Sequence, residues 1–129
     1  MFIDANIFLE IALKDEKSQD CQKFIKDAIK KKSLYYTSDF IVYSCLINIQ
    51  YRLSSDSLRD FLVFLNSIKI TILRPSVREI YDAQRIMEKY RLDFDDALVV
   101  SCMIANNIQE LVSYDKHFDK VGFIKIIRP

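Results

Sequence analysis

The sequence predicts an α/β protein, a three-layer α/β/α sandwich around a central, mainly parallel sheet. Three observations carry that expectation. Short apolar or β-branched runs alternate along the chain with segments of helical periodicity, and strands separated by helices close into a parallel sheet covered on both faces. The chain has 129 residues and is 50% hydrophobic, which suits one domain over 1–129 with a proper core. Acidic residues stand where strands should end or helices should begin, and such folds bind ligands outside the carboxyl ends of their strands.

The elements follow in order. Residues 1–4 read as a short buried strand and Asn6 to Lys14 as a helix. Cys21, Phe24, Ile25, Ala28 and Ile29 fall on one face, so 18–32 is an amphipathic helix. Leu34-Tyr35-Tyr36 reads as the second strand, after which Thr37 or Ser38 caps a helix to about Leu53. Ser54-Ser55-Asp56 is a turn into a helix with Leu58, Phe61, Leu62 and Leu65 on one face. The β-branched run Ile68 to Leu73 is the third strand. Pro75 precedes Ser76-Val77-Arg78-Glu79, a capping-box sequence that starts a helix to about Tyr90. Asp93 caps the next helix, to about Asn106, and Leu111–Ser113 and Phe123–Ile127 complete the strands. The helices at 39–53 and 57–68 are apolar round much of their circumference, which calls for burial on more than one side. Core filling is one way to meet that demand; a dimer or partner interface is the other.

Composition excludes several classes. Net charge is +1, from 19 basic and 18 acidic residues, so no global basic field advertises nucleic acid. The run Lys30-Lys31-Lys32 suits a solvated helix end, and local patches of this kind also form on near-neutral proteins. The single glycine, Gly122, rules out a P-loop and a dinucleotide fingerprint. Cys21, Cys45 and Cys102 form no CxxC pair and His117 is the only histidine, which argues against structural zinc. Free thiols in apolar surroundings predict a reducing, cytoplasmic setting. No apolar run approaches the roughly 20 residues of a membrane span, and no signal peptide precedes Asp4, so no membrane association is expected. Tyr35, Tyr36 and Tyr114 suit a partly buried core better than base stacking.

The chemistry lies in four separated acids: Asp4, Asp96, Asp115 and Asp119. Taken singly, each has a plain reading. Asp4 can cap a helix, Asp96 can complement a helix dipole, and Asp115 with Asp119 can belong to a polar loop. If they converge, they repel one another, and a hard divalent cation resolves the conflict. That points to a Mg2+- or Mn2+-dependent enzyme acting on phosphates, since a bound cation activates water and stabilises charge on the phosphoryl oxygens.

The segments MFIDANIFLE, LDFDDALVVSCMIANNI and LVSYDKHFDKVGFIKI together resemble the PIN domain family, nearest in appearance to its VapC-type ribonuclease toxins. The resemblance spans the whole chain in order and spacing. It implies metal-dependent RNA cleavage, an RNA substrate and an antitoxin protein partner, while the apolar hairpin at 39–53 and 57–68 is what suggests a homodimer. It also implies roles: Asp4 and Asp96 as the main metal ligands, Asp115 as the third, Asp119 as an auxiliary acid, and Asn6 as the asparagine that follows the first aspartate. One position departs from the family pattern. The family carries a glutamate nearly two turns past the Ser/Thr cap of the helix after the second strand, and counting from Ser38 reaches Ser44. Asn48 lies one turn later, and Glu10 is the nearest other acid. A neutral hydroxyl at Ser44 implies weaker metal affinity and reduced activity. Two alternatives stay open: a PIN-fold binding module with little catalysis, and an aspartyl-phosphate enzyme with Asp4 as nucleophile, for which Asn6 is a poor second acid. His117 is set aside as a packing or phosphate-contact residue.

Overall fold

The computed structural model describes residues 1–129. Its elements are β1 (Phe2–Ile3), α1 (Ala5–Leu13), α2 (Ser18–Lys30), β2 (Tyr36–Ser38), α3 (Asp39–Arg52), α4 (Ser55–Ser67), β3 (Thr71–Leu73), α5 (Val77–Tyr90), α6 (Phe94–Ala105), β4 (Glu110–Val112) and β5 (Lys125–Ile127). A 3-10 turn, Lys116–Lys120, joins the last two strands. The five strands form one parallel sheet in the order β3-β2-β1-β4-β5. Phe2, Ile3, Leu111 and Val112 have no exposed surface. Neighbouring strand residues point to opposite faces, so both faces of the central strands are covered. Packing falls into two helix groups, α1 with α2, α3 and α4 in one and α5 with α6 in the other. Right-handed crossovers place these groups on opposite faces of the sheet, giving the expected three layers.

Local chemistry accounts for the element ends. Ser76 Oγ accepts from the Glu79 amide while Glu79 Oε2 accepts from the Ser76 amide, so both halves of the predicted capping box form. Ser38, rather than Thr37, caps α3 by accepting from the Ile41 amide. Asp93 occupies the cap position of α6 through its carbonyl, which accepts from the Ala97 amide at 2.9 Å, without a side-chain bond. In α6 every residue from Ala97 to Met103 is buried, which makes this helix the apolar axis of one layer.

Several strands are shorter than the sequence suggests. β3 begins at Thr71, not Ile68, because α4 continues to Ser67 and Ile68 closes it as a buried cap residue. Lys69 then turns the chain with φ of 51°. β2 lies two residues later than Leu34–Tyr36, and β5 starts at Lys125. Asp4 is not part of β1; it caps α1. α4 includes Ser55 and Asp56, which the sequence suggests as a turn. β-branched content over such short runs does not distinguish a strand from the last turn of a helix.

The α3–α4 hairpin uses only part of its apolar surface for the core. Ile41, Val42, Cys45, Ile49, Phe61 and Leu65 are buried, while Tyr43, Ile47, Tyr51 and Val63 are exposed. The hairpin therefore both fills the core and carries an open apolar outer face.

Candidate active site

The strand order sets the site. From β1 the chain builds outward through β2 and β3, then returns to place β4 on the other side of β1. The crevice beyond the carboxyl ends of β1 and β4 is thus the switch point of the sheet, where open α/β folds bind ligands. Asp4 stands at the end of β1, and Ser113, Tyr114 and Asp115 follow β4.

A closed hydrogen-bond network joins the two strand ends. Asp4 Oδ1 accepts from the Ala5 amide at 2.7 Å. Asp4 Oδ2 accepts from Asn6 Nδ2 at 2.7 Å and from Ser113 Oγ at 2.6 Å. Ser113 Oγ accepts in turn from Asn6 Nδ2 and from the Asp115 amide, both at 3.0 Å. Asn6 Oδ1 accepts from the Tyr114 amide at 3.2 Å. The Ser113 hydroxyl is fully used, both Asn6 amide protons are donated, and Asp4 is held in one orientation with 9% of its surface exposed. Ser113 is a site residue that sequence reasoning missed. Its one signal is a hydroxyl at the end of an apolar strand, two residues before an acid.

The other acids converge on the same crevice. Asp96 projects from the first turn of α6, and Asp115 caps the 3-10 turn by accepting from the His117 amide at 2.7 Å. Asp4, Asp95, Asp96 and Ser44 line one small cleft of about 60 Å3 walled by Ala5, Phe40, Ile41 and Val99. Burial pushes the Asp96 carboxyl up to about 6, reinforced by the charges of Asp115, Asp95 and Asp4 and opposed by His117. Burial also raises Asp4; the bonds from Ser113 and Ala5 pull it down, and the charges of Asp115 and Asp95 push it further up. Asp95 thus belongs to the field of the site, although its sequence position suggests only a first-turn acid. No lysine or arginine pairs with Asp4, Asp96 or Asp115.

His117 is the second residue missed. Its Nδ1 lies 3.5 Å from Asp96 Oδ2 and 3.3 Å from Asp115 Oδ1. Donor atoms of Asp96, Asp115 and His117 lie within 4.8 Å of one another, an arrangement able to hold a cation. The chemistry of this set fits a divalent ion: two neighbouring carboxylates with an imidazole beside them and no lysine or arginine paired to either.

Asp119 pairs with Arg128, just past β5, and is not among the clustered donor atoms of Asp96, Asp115 and His117. Neither residue considered as a stand-in for the missing glutamate enters the cleft. Asn48 turns its amide back to the Ser44 carbonyl, and Glu10 accepts from the Lys17 amide. A larger hollow of about 400 Å3 between α1 and the α3–α4 hairpin, lined by Leu13, Leu53, Phe61 and Phe64, holds none of the four acids. The cysteines are all free and buried. Burial pushes the Cys45 and Cys102 thiols up to about 12, which removes them as nucleophiles.

The model of the PIN domain family matches residues 1–124. The chain belongs to the PIN domain family. The match takes in every acid of the cleft and the cleft-facing Ser44. Among solved structures, this PIN domain is similar to VapC20 of Mycobacterium tuberculosis, a Sarcin-Ricin loop cleaving toxin. The TM-score is 0.80 at 16% identity, covering 99% of this chain and 98% of that one. It is similar to VapBC2 from Rickettsia felis bound to a DNA fragment from its promoter, with a TM-score of 0.78 at 14% identity over 99% and 97% of the two chains. A toxin–antitoxin complex from Klebsiella pneumoniae follows, with a TM-score of 0.73 at 13% identity over 96% and 94%. No curated protein matches the sequence. At these identities the structures share the PIN fold with this chain. No helix of this PIN domain is long and apolar enough to cross a membrane.

Proposed function

We propose that this PIN domain is a metal-dependent endoribonuclease, the toxin of a toxin–antitoxin pair, attenuated by Ser44. The observation that carries the reading is the grouping of acids at the sheet's switch point, Asp4 beside Asp96 in one cleft and Asp96 beside Asp115, with no lysine or arginine paired to any of them. Asp4 and Asp96 are the direct ligands of a Mg2+ or Mn2+ ion, with Asp115 as the third. Such an ion lowers the pKa of bound water and stabilises charge on the phosphoryl oxygens.

The chain's own residues do the rest. Asn6 and Ser113 keep the Asp4 carboxylate oriented and favour its ionised form through their donated bonds. Asp115 orients the attacking water and accepts its proton. Ser44 reaches the cleft but brings no negative charge, so it can hydrogen-bond a phosphate or water and cannot serve as a charged ligand or base. That is the basis of the attenuation.

The partners follow from the same reading. VapC20 is a Sarcin-Ricin loop cleaving toxin and two of the similar structures are toxin–antitoxin assemblies, which supports an RNA substrate and an antitoxin for this chain. The open apolar face of Tyr43, Ile47, Tyr51 and Val63 supports a homodimer or an antitoxin contact. Residues 1–129 act as one domain, in the cytoplasm. Ser44 also favours a second reading, a PIN-fold binding module that has lost catalysis.

A mixed RNA panel incubated with Mg2+ or Mn2+ tests the proposal, comparing wild type with Asp4→Asn and Asp96→Asn. Metal-dependent cleavage lost in both variants supports the nuclease. A folded wild type that cleaves nothing, but gains cleavage on Ser44→Glu, supports the binding module instead.

A further inference from the structure

His117 is the only imidazole in the chain, and the fold aims it at the acids. Asp115 Oδ1 takes the His117 amide at 2.7 Å, and this tight turn sets the ring beside Asp115 and Asp96. The distances from Nδ1, 3.3 Å to Asp115 Oδ1 and 3.5 Å to Asp96 Oδ2, exceed those of an ordinary N–H···O bond. They suit a different relation. Two donors each about 2.1 Å from a common ion, at angles of about 90–110°, stand roughly 3.0–3.5 Å apart. Ser44 lines the other wall of the cleft with a neutral hydroxyl where the PIN resemblance implies a glutamate, which leaves the ion fewer charged ligands and room for a neutral one.

We propose that His117 Nδ1 is a donor to the cation of this site and makes it prefer Mn2+ and its first-row neighbours over Mg2+. The inference rests on the metal-dependent reading above and adds the identity of the ion. Mg2+ is a hard cation that takes oxygen ligands in near-ideal octahedral geometry and parts reluctantly with water. Imidazole nitrogen is a borderline donor that first-row ions accept more readily than Mg2+ does, Mn2+ least among them. A site of carboxylates and water shows little such discrimination; one imidazole supplies it. Coordination through Nδ1 leaves the proton on Nε2, at the exposed edge of a side chain with 63% of its surface open. That edge is free to donate to a phosphate oxygen.

The test is made on the full chain. Pulsed electron paramagnetic resonance of the Mn2+-loaded protein reads directly coordinated nitrogen, and with one histidine the assignment is unique. Calorimetric titrations with Mn2+ and with Mg2+ accompany it for wild type, His117→Ala and Asp96→Asn. The expected result is nitrogen modulation in wild type that vanishes in His117→Ala. Mn2+ should bind wild type at least about tenfold more tightly than Mg2+, with most of that ratio lost in His117→Ala. Mn2+ binding without nitrogen modulation, or a Mn2+/Mg2+ ratio that His117→Ala leaves unchanged, overturns the inference while the metal site stands. Folded wild type that binds neither ion overturns the metal-dependent reading itself, and His117 coordination with it.

Discussion

Neutralising Asp96 should stabilise the metal-free protein. The Asp96 carboxyl is raised from 3.8 to about 6, first by burial and then by Asp115, Asp95 and Asp4. Between those two values the folded chain holds a proton that the unfolded chain has released. Stability therefore falls as pH rises through that window, and the full penalty applies above about pH 6. At about 1.36 kcal/mol per pKa unit, a shift of about two units sets a ceiling near 3 kcal/mol. The carboxyl keeps partial contact with solvent, so about 1–2 kcal/mol is the reasonable expectation. Asp96→Asn is neutral in both states and breaks no side-chain hydrogen bond at this position. In EDTA at pH 7.5 it should raise stability by that amount, about 4–8 °C in Tm for a chain of this length. The gap should close towards pH 4. With saturating Mn2+ the order should reverse, because only wild type gains the binding free energy, about 2.7 kcal/mol at a hundredfold excess over Kd. Urea denaturation at four pH values between 4.5 and 7.5, with and without Mn2+, reads all three effects. A metal-free Asp96→Asn less stable than wild type at pH 7.5, or a gap that ignores pH, would refute the argument that the site is a set of mutually repelling, poorly solvated acids.

Other perturbations probe the same frame. Ser44→Glu adds a carboxylate to the cleft, so it should lower Tm in EDTA and raise Mn2+ affinity about tenfold or more; no change in either places the side chain outside the site. Ser113→Ala removes the donor to Asp4 and the acceptor for the Asp115 amide in a fully buried position. A loss of about 2–3 kcal/mol in urea denaturation is expected, and a loss under about 0.5 kcal/mol would mean the network is not holding the strand ends. Asp119→Asn breaks only a half-exposed ion pair with Arg128. Stability should move by less than about 1 kcal/mol and Mn2+ affinity by less than about twofold; a tenfold loss of affinity would return Asp119 to the metal site. Arg91 closes α5 in the left-handed region, with φ of 52°. Arg91→Gly should relieve that strain by about 0.5–1 kcal/mol, read as a higher urea midpoint.

The order of strands and helices, the caps at Ser38 and Ser76, and the positions of Asp4, Asp96 and Asp115 could be read from the chain. These are properties of spacing and local chemistry, which a linear pattern preserves. That Ser44 lies on the cleft side of its helix was legible from its count past the Ser38 cap once the PIN resemblance marked that position. Element ends were less legible. Ile68 is β-branched and buried, yet it terminates a helix, because its burial comes from core contacts that the pattern does not distinguish from those of a strand. The contacts of Ser113, His117 and Asp119 were decided by the tertiary structure alone. Ser113 meets Asp4 across 109 positions only because β4 returns to lie beside β1. Asp119 is drawn off by Arg128, which β5 delivers, and His117 faces Asp96 because α6 and the 3-10 turn end at the same edge of the sheet. Sequence by itself determined which side chains were available and which backbone elements carry them. Which of those side chains share one volume, and so repel, bond or hold an ion together, depends on distances through space that only the order of strands in the sheet establishes.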